Sequence, residues 1–137
     1  MRTAILDYLQ ANKTLLKPLT VTENLPWLQD GIALPEINKK HLYVGLDQIA
    51  QNPAFETLNT QLGGGVDEIT TVSAYFVIDA KQPLSNLEDI LDVVKNARLT
   101  TDISGVISRT CQVSQTFKTD LVITEFEFSF RKLIPNT

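Results

Sequence analysis

The stretch ITTVSAYFVIDAKQPLSNLEDILDVV, residues 69–94, decides the fold, because its hydrophobic period changes from two to 3.6 within one passage. Over Ile69–Ala80, Val72, Ala74, Phe76 and Ile78 fall on one face of a strand, and Thr71, Ser73, Tyr75 and Val77 fall on the other. Gln82 and Pro83 end the strand. Ser85-Asn86-Leu87-Glu88 then fits a capping box, in which the Ser85 hydroxyl accepts from a free backbone N–H and Glu88 reaches back. Leu87, Ile90, Leu91 and Val94 form a helical stripe, with Glu88, Asp89 and Asp92 early and Lys95 and Arg98 late, as the helix dipole favours.

Downstream, Val106–Phe117 alternates, with Ile107, Cys111, Val113 and Phe117 on one face, interrupted by Arg109 and Gln115. Lys118-Thr119-Asp120 makes a tight reversal. In Leu121–Leu133, Val122, Phe126, Phe128 and Phe130 line one face, while Glu125, Glu127, Ser129 and Arg131 line the other. The phenylalanines read as a core ladder under the helix stripe. The polar face is left for water or a partner.

Upstream, Ile5, Tyr8 and Leu9 mark a helix over Thr3–Ala11, Leu19–Glu23 alternates like a strand, and His41–Leu46 reads as another. Trp27 and Leu28, in a turn-rich segment, are expected to cover part of the core. Residues 48–67 carry Pro53, a short helix that can form at Ala54–Leu58, and Gly63-Gly64-Gly65. Three consecutive glycines are costly to order, so a long loop or extended hairpin is expected. The order is α-β-β-β-α-β-β. Tight reversals favour antiparallel pairing, which gives an α+β fold, a mainly antiparallel sheet with helices packed on one face, in one domain over residues 1–137.

Composition narrows the functional classes. The chain has 137 residues, 43% hydrophobic and 20% charged, values of an ordinary globular domain. A single cysteine, Cys111, excludes an intramolecular disulfide and suggests a reducing compartment. No stretch approaches the roughly 20 apolar residues of a membrane span, so a cytoplasmic protein is expected. Between Leu42 and Val94 stand eight acids and one base, Lys81, which disfavours tight nucleic-acid binding and leaves room for a protein that lets nucleic acid pass.

The residues that carry chemistry elsewhere have ordinary readings here. His41 is the only histidine, so no histidine metal cluster forms. No histidine lies near Cys111 in sequence to activate it. Gly63–Gly65 precedes a strand and lacks Lys-Ser or Lys-Thr, unlike a phosphate loop. Glu125 and Glu127 are neighbours on one strand face and can do acid–base work, but Arg131 continues that face, as in a solvated or contact surface. No catalytic, cofactor or metal site is expected.

The passage ITTVSAYFVIDAKQPLSNLEDILDVV together with the closing LVITEFEFSFRKL resembles the phage tail terminator proteins of the lambda-type long-tailed phages. The likeness lies in the element order: N-terminal helix, two strands, loop, long strand, capped helix, terminal aromatic hairpin. It implies a hexameric ring of identical subunits at the head–tail junction of the virion, assembled in the host cytoplasm. Such a ring caps the tail tube, ends its polymerisation and joins the head connector, while DNA passes through the channel without specific binding. The acidic middle segment then suits a channel wall. The segment 48–67 departs from the pattern and reads as an insertion that orders on docking. Contacts with other subunits or the tube are expected at Gly63, Gly64, Gly65, Glu125, Glu127 and Arg131. Two rival readings are a head–tail connector or baseplate subunit, and a small α+β enzyme or ligand-binding domain using Glu125 and Glu127.

Overall fold

Two fifteen-residue strands form the spine of the protein. In a computed structural model that describes residues 1–23, 39–54, 65–99 and 105–135, β4 (Gly65–Asp79) and β6 (Leu121–Pro135) pair antiparallel without interruption, from Gly65 opposite Pro135 to Asp79 opposite Leu121. The other elements are α1 (Arg2–Ala11), β1 (Thr20–Thr22), β2 (His41–Val44), β3 (Gln48–Ala54), α2 (Leu87–Lys95), a 3-10 turn (Asn96–Leu99) and β5 (Val106–Lys118). Among the described residues the sheet has six strands in the order β1-β2-β4-β6-β5, and β3 pairs with β4 on the side that also carries β2.

The sheet is antiparallel except where β1 runs parallel to β2. The alternation in β4 and β6 has the expected phase. Val72, Ala74, Phe76 and Ile78 face the helices beside Phe128, Phe126, Thr124 and Val122. Both helices lie on that face: Ile5, Leu6 and Leu9 of α1 and Ile90 and Val94 of α2 join one core with these side chains. The Phe76 and Phe126 rings lie 6.1 Å apart, and Phe128 stacks on Phe130 at 6.5 Å. Each fully buried phenylalanine contributes roughly 1.5–3 kcal/mol through removal of apolar surface from water. The α+β fold with helices on one face is therefore the observed one.

Several local expectations need correction. The order gains a strand: residues 48–54 pair with 65–71 in register, so of the two expected forms, loop or extended hairpin, the described part takes the hairpin. Pro53 is tolerated because β3 lies at an edge. Residues 55–64 lie outside the described residues, with most of the expected Ala54–Leu58 helix; its first residue, Ala54, ends β3. Trp27 and Leu28 are outside them as well. The capping box does not form. The α2 N-cap is Asn86, no side chain caps the helix, and the Asn86 amide donates instead to the Lys17 carbonyl at 2.8 Å. The second strand ends at Val44, and Leu46 is exposed beyond it.

Between β2 and β3 the chain leaves the ladder, with Gly45 N–H still donating to the Ser73 carbonyl at 2.7 Å. This junction is held from α1. Asp47 accepts from the Met1 ammonium at 3.0 Å and from the Arg2 backbone N–H at 2.7 Å, and the Arg2 guanidinium donates to the Val44 and Glu23 carbonyls. At the entry to β5, Gly105 has φ +85°, and a Cβ there would sit 3.2 Å from Lys132 Cε, so glycine is the fitting residue.

Candidate assembly surface

The sheet face opposite the helices carries most of the residues singled out from the sequence. Glu125 lies opposite Tyr75 on β4 and Ser114 on β5; Glu127 lies opposite Ser73 and Gln112. Both glutamates are exposed. Their setting is an open surface of hydroxyl and amide side chains. Arg131 shares the face, but its Nε donates to Asp67 Oδ1 at 2.8 Å, across to β4. Gly65 opens β4 opposite Ala54 and Pro135. Gly63 and Gly64 lie outside the described residues. The structure thus brings Glu125 and Glu127 together, puts Arg131 further along the same strand in an ion pair of its own, and sets Gly65 at the far end of the sheet.

The acidic middle of the chain does not fold into one wall. Asp47 meets the Met1 ammonium, Asp67 meets Arg131, Asp79 meets Lys39 at 2.7 Å, and Glu68 accepts from Gln51. Glu88, Asp89 and Asp92 are exposed on α2, on the opposite side of the sheet from Glu125 and Glu127. Sequence proximity fails here because strands and helix send neighbouring residues to different layers.

Where β2 meets β4, the same face, opposite α1 and α2, becomes apolar. Tyr43, Tyr75 and Val77 are buried there with Leu121 and Ile123 packed against them. Tyr43 stacks on Tyr75 at 5.3 Å and on His41 at 6.2 Å, which gives the histidine an aromatic neighbour at a strand start. Burial raises the Tyr75 pKa. Among the described residues no group of three or more His, Cys, Asp or Glu is placed to hold a metal ion, and no helix is long and apolar enough to cross a membrane.

β5 keeps the expected face from Arg109 to Phe117 and departs from it at Ile107. Ile107 sits at a register shift between Val106 and Ser108, and the alternation flips there. Arg109, Cys111 and Val113 face the helices, while Ile107 is 58% exposed. The helix layer covers this strand only as far as Val113: Gln115 is exposed, and Phe117 is 73% exposed at the hairpin end. The bulge leaves no signal in composition, but Arg109 and Gln115 interrupting an apolar series do mark a strand whose inner face is only half covered. Burial pushes the Cys111 thiol up to about 11 against the weaker pull of Arg98 and Lys95.

With this geometry in hand, solved structures provide a match. One is a chain in the virion of a native gene transfer agent particle, similar at a TM-score of 0.55 and 15% identity over 97% of this chain and 94% of that one. At that identity the likeness is one of fold. No protein-family model matches the chain, and no curated protein matches it. The likeness extends over nearly the full length of both chains.

Proposed function

We propose that this chain is a structural protein of a phage-like virion, acting as one domain in a ring that caps the tail tube. The observation that carries this reading is the fold likeness to a gene transfer agent virion chain across nearly the whole of both proteins. The element order of the tail terminator proteins points the same way. In this reading six copies form the ring, ending tube polymerisation and offering a seat for the head connector, and DNA passes through without specific recognition. Glu125 and Glu127, exposed on the sheet face opposite α1 and α2, are the side chains this reading assigns to contacts with neighbours or the tube. The role is structural and not enzymatic.

Light scattering across a concentration series, with and without tail-tube protein, tests this. A species near six times the 15.3 kDa chain mass, about 92 kDa, or one that forms only on the tube, supports the ring. A monomer under both conditions overturns it. Co-purification with a connector or baseplate protein in place of the tube would move the protein to another position in the particle.

A further inference from the structure

The sheet has two open edges at one end, and they differ in kind. At that end the strand order is β3-β4-β6-β5, with adjacent strands antiparallel throughout. Among the described residues no strand pairs with the outer side of β3 or of β5. Proteins usually blunt such edges with charge, proline, a bulge or a cover, because unpaired N–H and C=O groups recruit other strands. β5 has its bulge at Ile107 and its charges at Arg109 and Lys118, which leaves Thr110–Phe117 uncharged, free of proline and glycine, and ending in the exposed Phe117. β3 offers Gln48–Asn52, all exposed, with Ile49 at 61%, before Pro53 stops the usable edge.

We propose that the Thr110–Phe117 edge of one copy docks antiparallel on the Gln48–Asn52 edge of the next, continuing the sheet from subunit to subunit. This rests on the ring reading above and names its contact. Three observations select the partner edge. First, β3 and β5 run in opposite directions within one copy, so joining them between copies preserves the alternation. Second, β5 carries two bases and no acid, whereas β3 carries no charge. Pairing β5 with another β5 sets like charges together; pairing it with β3 does not. Third, β3 lies level with the Val106–Thr110 end of β5 in its own copy, so docking on Thr110–Phe117 staggers successive copies along the strands. Closing a sheet on itself needs a stagger of this kind. The contact is head-to-tail, the type that closes rings.

The test uses the full chain and two exposed positions, Phe117→Lys and Ile49→Lys, with Ser114→Lys as a second variant on β5. Circular dichroism and thermal midpoints verify that each is folded. Each variant alone is expected to lose self-association by about tenfold or more. Mixed one to one, Phe117→Lys still offers its β3 edge and Ile49→Lys its β5 edge, so a 1:1 pair forms and nothing larger. If Ile49→Lys self-associates normally while Phe117→Lys does not, the contact is β5 on β5 and the proposal is overturned. If wild type assembles and all variants assemble like it, the edges are not the contact, and the ring reading stands without them. A wild-type chain that is monomeric alone overturns the edge proposal, whatever the measurement with tail-tube protein gives for the ring.

Discussion

Arg131 reaches across the face opposite α1 and α2 and donates to Asp67 at 2.8 Å, tying the outer part of β6 to the outer part of β4. Both strands run on here past the helix-covered core. The Arg131 side of the pair is exposed, where competing solvent and salt weaken it. Asp67→Asn and Arg131→Gln are expected to lower the thermal midpoint only slightly, and the difference from wild type disappears in high salt. A large, salt-independent loss would show that the extended end of the sheet depends on this ion pair for its order.

Thr119 occupies the β5–β6 turn at φ +55°, a conformation that β-branched residues rarely adopt. Tight hairpin turns need positive φ, and asparagine or glycine supplies it with less strain. Thr119→Asn is expected to stabilise the protein by about 0.5–1 kcal/mol, read from chemical denaturation. Destabilisation would mean that the threonine side chain makes a compensating contact.

Asn86 replaces the expected capping box by donating to the Lys17 carbonyl, so α2 is anchored to the segment before β1. Asn86→Ala is expected to cost about 0.5–1.5 kcal/mol. Ser85→Ala should change stability by less than about 0.5 kcal/mol, below the typical cost of losing an N-cap. Urea denaturation of the two variants side by side measures the difference; the reverse ranking would restore the capping box.

Cys111 combines partial burial with a thiol pKa raised from 9.0 to about 11. The folded state therefore favours the neutral thiol. Its contribution to stability is complete below about pH 9, the value of an unperturbed thiol, and is lost as pH rises through about 11. At pH 8 the folded protein should react with a thiol-specific alkylating reagent about 100-fold more slowly than a thiol of ordinary pKa, by the thiolate fraction alone. Mass spectrometry of the alkylated product over time gives the rate. Reaction at the ordinary rate would show that the thiolate is stabilised.

The core was legible because two long strands and one helix each obey a single period. Val72 to Ile78 and Val122 to Phe130 alternate, with Thr124 the one polar residue on the inner face, and the structure keeps that phase. What escaped depended on particular backbone events or on pairing across distance. The bulge at Ile107 reversed the faces of β5 before it. β3 carries Gln, Asn and Pro, weak strand formers that become a strand only because β4 is already there to pair with. Charge grouped in sequence was a poor guide to surface charge, since Asp67 and Asp79, at opposite ends of β4, pair with Arg131 and Lys39, while Glu88 lies on α2. The glutamate face was found because alternation places Glu125 and Glu127 together whatever the strand pairs with. The exposure of Phe117 was hidden because the pattern shows which face a residue takes, and not how far the covering layer extends.

The uninterrupted pairing of β4 with β6 also sets the order in which the protein can fold. Asp79 and Leu121 are 42 positions apart in the chain, and Gly65 and Pro135 are 70 apart. The β5–β6 hairpin, closed by Thr119 and Asp120, needs only local contacts and can form in about 1–10 μs. The spine must wait for a slow loop closure, of the kind that puts sheet-rich domains in the millisecond-to-second range. During that wait the hairpin shows both its phenylalanine ladder and the uncharged Thr110–Phe117 stretch of its outer strand to the solvent. The unfolded chain is thus most prone to wrong pairing before β4 docks on the hairpin, and the yield of folded protein will depend on how fast that closure competes with encounters between unfinished chains.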